Sequence, residues 1–204
     1  PPQGDMDGHA GEPHRAQVSV VNGELVFRHF NIPSDGTEDW IVLEASRDWS
    51  DYTLEFRFKF TDEVGLSGTR GMLVTYHETF EGVPEGGPNT PFAFVYAGGS
   101  VMGLVAIDGQ FIGIKSGPFP FSPGTWYQMK ILVQGTHYEI FIDGQQVVAY
   151  DVDGFTKGGI GIGARDVVTH FDDIRISGES VPDGGVTAVR ARGKLTTVWA
   201  VLKK

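Results

Sequence analysis

A chain of 204 residues with no cysteine has no disulfide, no thiol nucleophile and no thiolate metal site. Its 29 glycines and 14 phenylalanines, with few helix-forming runs, favour short strands joined by tight turns, and the length suits one large β domain. The net charge of −10 argues against nucleic acid as a partner, and no apolar run reaches the ~18 residues of a membrane span.

Residues 1–16, "PPQGDMDGHAGEPHRA", have no apolar period, read as an arm or linker, and look like a processed N-terminus. Strands begin near Gln17, where Asn22-Gly23 marks a two-residue hairpin in "AQVSVVNGELVFRHF". A short strand follows around Trp40–Leu43. "DYTLEFRFKF" alternates strictly: Tyr52, Leu54, Phe56, Phe58 and Phe60 take one face, and Thr53, Glu55, Arg57 and Lys59 the other. Such a strand has one buried and one wet side. "TRGMLVTYHETF" gives another strand, and "EGVPEGGPNT" reads as a long loop. "PFAFVYAGG", "SVMGLVAIDG" and "QFIGIKSG" are consecutive strands, with a hairpin turn at Asp108-Gly109. The prolines of "PFPFSPG" bar it from a central strand.

"GTWYQMKILVQGTHYEIFIDGQQVV" is a ribbon turning at Gly135 and at Asp143-Gly144. "GGIGIGAR" places Ile160, Ile162 and Ala164 on one face, and "THFDDIRIS" is the last strand. In it, Ile174 and Ile176 are expected toward the core, with Phe171, Asp173 and Arg175 opposite. In "GKLTTVWAVLKK", Leu195, Val198, Trp199 and Leu202 share a helical face, while the β-branched residues also permit an added strand. Residues 181–204 carry five cations against Asp183, a net of +4, which leaves −10 − 4 = −14 on the remainder. This basic tail is expected to dock on its own domain, or to mediate self-association through residues 186–204. The division is thus an arm at 1–16, a β domain at 17–180 and a basic tail at 181–204.

The order "WSDYTLEFRF", "WYQMKILVQGTHYEIFIDGQQV", "GGIGIG" and "FDDIRI" resembles the concanavalin A-like lectin/glucanase jelly roll in its laminin-G-like branch. Within it the chain is most similar to the bacterial 3-keto-disaccharide hydrolase family, over Val18 to Ser177. The resemblance implies an all-β, two-sheet antiparallel sandwich, an oligo- or polysaccharide partner and an extracellular or periplasmic setting. It also implies departures. The family's opening Phe-x-Gly-Lys-x-Leu-x-Gly-Trp is missing. Its Glu-x-Gln-x-x-Asp pattern is matched by "GLVAIDGQ", which keeps only Asp108, and its Asn-Ser-Gly-Ile turn by "LSGTRGML", which keeps Ser67, Gly68 and a nearby Arg70.

Retaining glycosidases need two carboxyls ~5 Å apart. Glu139 and Asp143 of "EIFID" are four residues apart, roughly 13 Å along a strand, and Asp143 sits in a turn. Asp151 and Asp153 of "YDVDG" read as a polar edge before a turn. The six histidines show no metal spacing. A structural Ca2+ site is the expectation for Asp173 with Glu24, completed by backbone carbonyls, against a plain Asp173–Arg175 surface pair. Sugar binding needs an exposed aromatic face and planar polar groups. Trp49, Tyr76, Phe80 and Tyr96 are the candidate platforms, and Arg70, His77, Asp108 and Gln110 the candidate hydrogen-bonding groups, with Tyr76 and Arg70 first. Three functions follow: a non-catalytic carbohydrate-binding module of an exported protein, a glycoside hydrolase using Arg70, His77 and Asp108 in one cleft, or a structural subunit assembling through its termini.

Overall fold

The computed structural model describes residues 16–29, 39–43, 46–61, 70–78, 89–107, 110–182 and 187–189. The strands run in chain order as β1 (Ala16–Val21), β2 (Glu24–His29), β3 (Asp39–Leu43), β4 (Tyr52–Thr61), β5 (Gly71–Glu78), β6 (Thr90–Tyr96) and β7 (Ser100–Ile107). They continue as β8 (Gln110–Pro118), β9 (Tyr127–Gln134), β10 (His137–Ile142), β11 (Gln145–Asp151), β12 (Gly159–Arg165), β13 (Val168–Ser177) and β14 (Thr187–Val189). One sheet has the order β1-β2-β13-β4-β9-β10-β11, with β14 also on β13, and the other has β3-β12-β5-β6-β7-β8. Neighbours pair antiparallel throughout. The fold is the expected two-sheet sandwich.

Alternation drives the closure. The inward residues of β4 (Tyr52, Leu54, Phe56, Phe58, Phe60) are buried while Thr53, Glu55, Arg57 and Lys59 are not. They meet Met129, Ile131 and Ile140 of their own sheet and Met72, Val74, Ile160 and Ile162 of the other. Glycines allow close approach at two places. A Cβ on Gly103 would overlap the Tyr150 ring, and one on Gly161 would press on Trp40 and Thr75. The proline-bearing 118–123 segment forms no strand after Pro118, yet Phe121 closes one end of the core, 5.7 Å from Phe60 edge-on.

Of the four register shifts among the described strands, two alter the expected alternation at candidate site residues. Opposite Gly159–Gly161 of β12, β5 carries one extra residue around Tyr76 and His77, and His77 has φ +54°. Opposite Glu55–Arg57 of β4, β13 carries one extra residue, and Asp173 has φ +51°. The second bulge corrects one expectation: Phe171 lies fully buried in the core, not beside Asp173 on the outer face. Ile174 and Ile176 do pack on the core as expected.

At the start of the tail Val181 is buried in the core, and Thr187–Val189 add a short strand to β13 of the same chain. Residues 183–186 and 190–204, with the expected helical face from Leu195 to Leu202, lie outside the described residues. No helix of the described residues is long and apolar enough to cross a membrane.

Candidate functional site

The residues expected to form a sugar site are scattered. Tyr76 is completely buried: its hydroxyl bonds the Tyr150 hydroxyl, and its ring lies 4.8 Å from that of Tyr138. It has no face for a ligand, so its reading as an exposed platform is corrected. The same holds for Trp49, at 6% exposure. His77 is also sealed in. As a neutral imidazole its Nε2–H donates to the Ser50 carbonyl at 2.9 Å, and Nδ1 accepts from the Tyr138 hydroxyl at 3.1 Å. Burial pushes its pKa below the ordinary value, and the backbone carbonyls of Ser50 and Phe155 offset only part of that. Burial also holds the Tyr76 and Tyr150 phenols far above their usual range, so neither ionises. This cluster is a hydrogen-bonded interior, in which buried polar atoms find one another.

Arg70 and Tyr96 do come together. Arg70 is half-buried just before β5, its carbonyl accepts the Ala97 amide at 2.9 Å, and Gly71 pairs with Tyr96. Tyr96 is half-buried, with its ring 4.5 Å from Phe94. From Arg70 to His77 is a strand length of about 23 Å, which rules out the cleft that would join Arg70, His77 and Asp108. Gln110 is exposed at the start of β8, beside the far end of β7. Asp108 and Phe80 lie outside the described residues. The outer face of the six-stranded sheet between these ends is apolar, packed from Trp40, Leu73, Phe92, Phe94, Leu104 and Ala106, all nearly buried.

The outer face of the eight-stranded sheet is different. Trp126 is half-buried there, with the Lys59 ammonium 4.3 Å and the Arg57 guanidinium 5.0 Å from its ring centre. Arg57 Nη2 donates to Asp172 Oδ2 at 2.7 Å, and its Nε forms an ion pair with Asp173 Oδ2 at 2.9 Å. Lys59 lies 3.1 Å from Glu24, which also takes His170 Nδ1 at 2.7 Å. Partial burial works to raise the Glu24 carboxyl, and bonds from His170 and Lys59 outweigh it and hold the pKa below normal. Gln128 and Asp172 lie opposite Arg57 on either side. The result is an aromatic surface ringed by planar donors and acceptors held in place by ion pairs.

The reading of the residues missed Trp126, although its signal was there. In "TWYQMK" the core phase belongs to Tyr127 and Met129, so Trp126 falls with Gln128 and Lys130 on the wet side. A large aromatic in the polar phase of a strand is the informative exception.

Calcium fits Asp173 and Glu24 poorly. Asp173 is engaged by Arg57, and Glu24 by Lys59 and His170, while calcium asks for six to eight oxygens. Among the described residues no group of three or more His, Asp or Glu could hold a metal.

Residues 3–177 match the 3-keto-alpha-glucoside-1,2-lyase-like domain family, and the chain belongs to it. No curated protein matches the chain. Among solved structures, the carbohydrate binding module CBM66 from Bacillus subtilis is 19% identical with a TM-score of 0.64, covering 80% of this chain and 92% of that one. A Bacillus subtilis protein described as of unknown function with a galectin-like fold is 13% identical with a TM-score of 0.63, covering 79% and 85%. The alginate lyase A1-II', of polysaccharide lyase family 7, is 12% identical with a TM-score of 0.55, covering 81% and 84%. Likeness at these identities speaks for the shared jelly roll alone.

Proposed function

We propose that this member of the 3-keto-alpha-glucoside-1,2-lyase-like family is a carbohydrate-binding, lectin-like module that contacts its oligo- or polysaccharide at Trp126. The observation that carries the reading is the half-buried indole on the wet face of the eight-stranded sheet, bordered by Arg57, Lys59, Asp172, Asp173 and Gln128. Sugars present C–H faces to aromatic rings and vicinal hydroxyls to planar polar groups, and this surface supplies both. The shared fold of a carbohydrate binding module supports the ligand class. A panel of neutral and acidic glycans titrated calorimetrically tests it. Trp126→Ala should weaken binding at least tenfold, roughly the 1.4 kcal/mol of one decade, and Tyr96→Ala should leave it unchanged. Loss through Tyr96→Ala or Arg70→Ala alone would move the site to the end of the six-stranded sheet. Silence across the panel would remove the reading. An extracellular or periplasmic setting belongs to the same proposal, and cell fractionation checks it.

Family membership favours a second reading, cleavage of a 3-keto-α-glucoside. It would need an acid–base pair other than Arg70 with His77, since His77 is sealed in the interior. Incubation with a 3-keto-α-glucoside, followed by NMR of the products, separates the two: turnover would establish the enzyme, and unchanged substrate would leave the binding module.

A further inference from the structure

Four of the five large hydrophobic side chains exposed among the described residues lie on one hairpin: Ile107 at 39%, Phe111 at 58%, Ile112 at 47% and Ile114 at 43%. This hairpin ends the six-stranded sheet, because β8 is its last strand. All seven residues from Gln110 to Ser116 are exposed, although Phe111 leans on Phe92 with the rings 5.6 Å apart, and among the described residues no strand pairs with the outer edge. The opposite side of β8 is satisfied by β7, from Ile107↔Gln110 to Ser100↔Pro118. An edge of this kind presents unpaired backbone donors and acceptors next to apolar side chains, and soluble proteins usually blunt it with charge, proline or a covering element. Here the only charge between Gln110 and Pro118 is Lys115, and the only proline is Pro118 itself.

We propose that β8 is a homodimer interface, in which two copies of this chain pair their β8 edges antiparallel about a two-fold axis next to Phe111 and Ile112. The bulge sets the register. Gly103 pairs with Lys115 and Leu104 with Gly113, so Ile114 is the extra residue, and regular pairing is available on the Gln110–Gly113 side. An axis beside Ile112 sets Ile112 opposite the other copy's Ile112 and Phe111 opposite its Gly113, since residues directly opposite in an antiparallel pair share a face. Gln110 then lies opposite the other copy's Ile114, with Ile107 beside Gln110 on β7. Charge agrees with a second copy as the occupant. The paired stretch Gln110–Gly113 is uncharged in a chain of net −10, and the two Lys115 lie at opposite ends of the contact. An isologous contact of this type closes on itself instead of propagating.

The area sets the strength. Four side chains, each about half exposed, offer on the order of 350 Å² of apolar surface per copy, taking ~200 Å² for a large side chain. Twice that is about 700 Å² before backbone is counted, which falls below the ~1,200–2,000 Å² of stable interfaces and in the range of weak, transient ones. The pairing is therefore weak and concentration-dependent, half complete at tens to hundreds of micromolar. It would give a surface-bound lectin two sites without depending on where the sugar sits, so its test is independent of glycan binding.

Sedimentation velocity of the full chain from about 1 to 500 μM is the experiment. The expected result is a mass rising from one copy toward two. Phe111→Lys with Ile112→Lys should hold it at one copy while the chain still folds, with a melting temperature lowered by no more than a few degrees, since both side chains are about half exposed and only the Phe111 ring contact with Phe92 is lost. The absence of cysteine allows a second readout. Ile112→Cys should form an intermolecular disulfide under mild oxidation at least tenfold faster than the exposed loop variant Thr156→Cys. Monomer at every concentration overturns the proposal. So does dimerisation that survives the double lysine variant, or equal crosslinking at positions 112 and 156.

Discussion

Gly103→Ala tests whether Tyr76 and His77 belong to a filled interior or to a cleft. Gly103 faces inward from β7, and a methyl there falls well inside van der Waals contact of three carbons of the Tyr150 ring. That ring cannot swing aside cheaply. Its hydroxyl donates to the Phe92 carbonyl at 3.0 Å and shares a bond with the Tyr76 hydroxyl, while its ring lies 5.4 Å from Tyr138. Overpacking a tight core costs about 1–3 kcal/mol, and stranding a buried hydroxyl about 1–3 more. The expected loss is about 2–6 kcal/mol, or roughly 4–24 °C in melting temperature at ~2–4 °C per kcal/mol for a chain of this size. Differential scanning calorimetry measures it. Gly124→Ala is the control, since Gly124 has φ +72° with nothing near its missing Cβ, and should cost only the ~1–2 kcal/mol of a left-handed alanine. In a Tyr150→Leu background, adding Gly103→Ala should cost less than about 1 kcal/mol, which makes the pair non-additive. A Gly103→Ala protein that melts within about 2 °C of the parent would mean slack beside Tyr150. The interior would then hold room for a ligand, and Tyr76 and His77 would return as site residues.

Acid should loosen the same cluster. Burial depresses the His77 pKa in the folded chain, so the unfolded chain, with a value near 6.5, binds the proton more readily. Its contribution is complete above about pH 6.5 and declines as the pH falls from there through the lower folded value. Melting temperatures between pH 8 and pH 5 should show that decline, and His77→Phe should flatten it; a parent curve level across this range contradicts the burial argument. Calcium should have no effect, because Asp173 and Glu24 already hold Arg57, Lys59 and His170. Millimolar Ca2+ or EDTA should each move the melting temperature by less than ~1 °C, whereas a site of micromolar affinity would stabilise by about 4 kcal/mol at a thousandfold excess.

The sandwich was legible because its signal is a period of two repeated over many strands, and β4 shows it without interruption from Tyr52 to Thr61. The failures sit where that period breaks. Tyr76 and His77 are consecutive, so a regular strand must send one of them outward, and an outward Tyr76 beside a loop looks like a platform. The extra residue in β5 and the left-handed φ of His77 let both turn inward, and nothing in "TYHETF" announces a bulge, since neither residue is a glycine. "HFDDIRI" fails in the same way. Counting back from Ile176 by twos puts Phe171 on the outer face, but one added residue at Asp173 restores it to the core. That bulge also carries Asp173 onto Arg57, beside Asp172. The irregularity that defeated the alternation rule therefore also helps build the polar border of Trp126. A site assembled by a one-residue insertion lies beyond periodicity, whereas Trp126, one residue before β9 and in phase with its wet side, could be read directly.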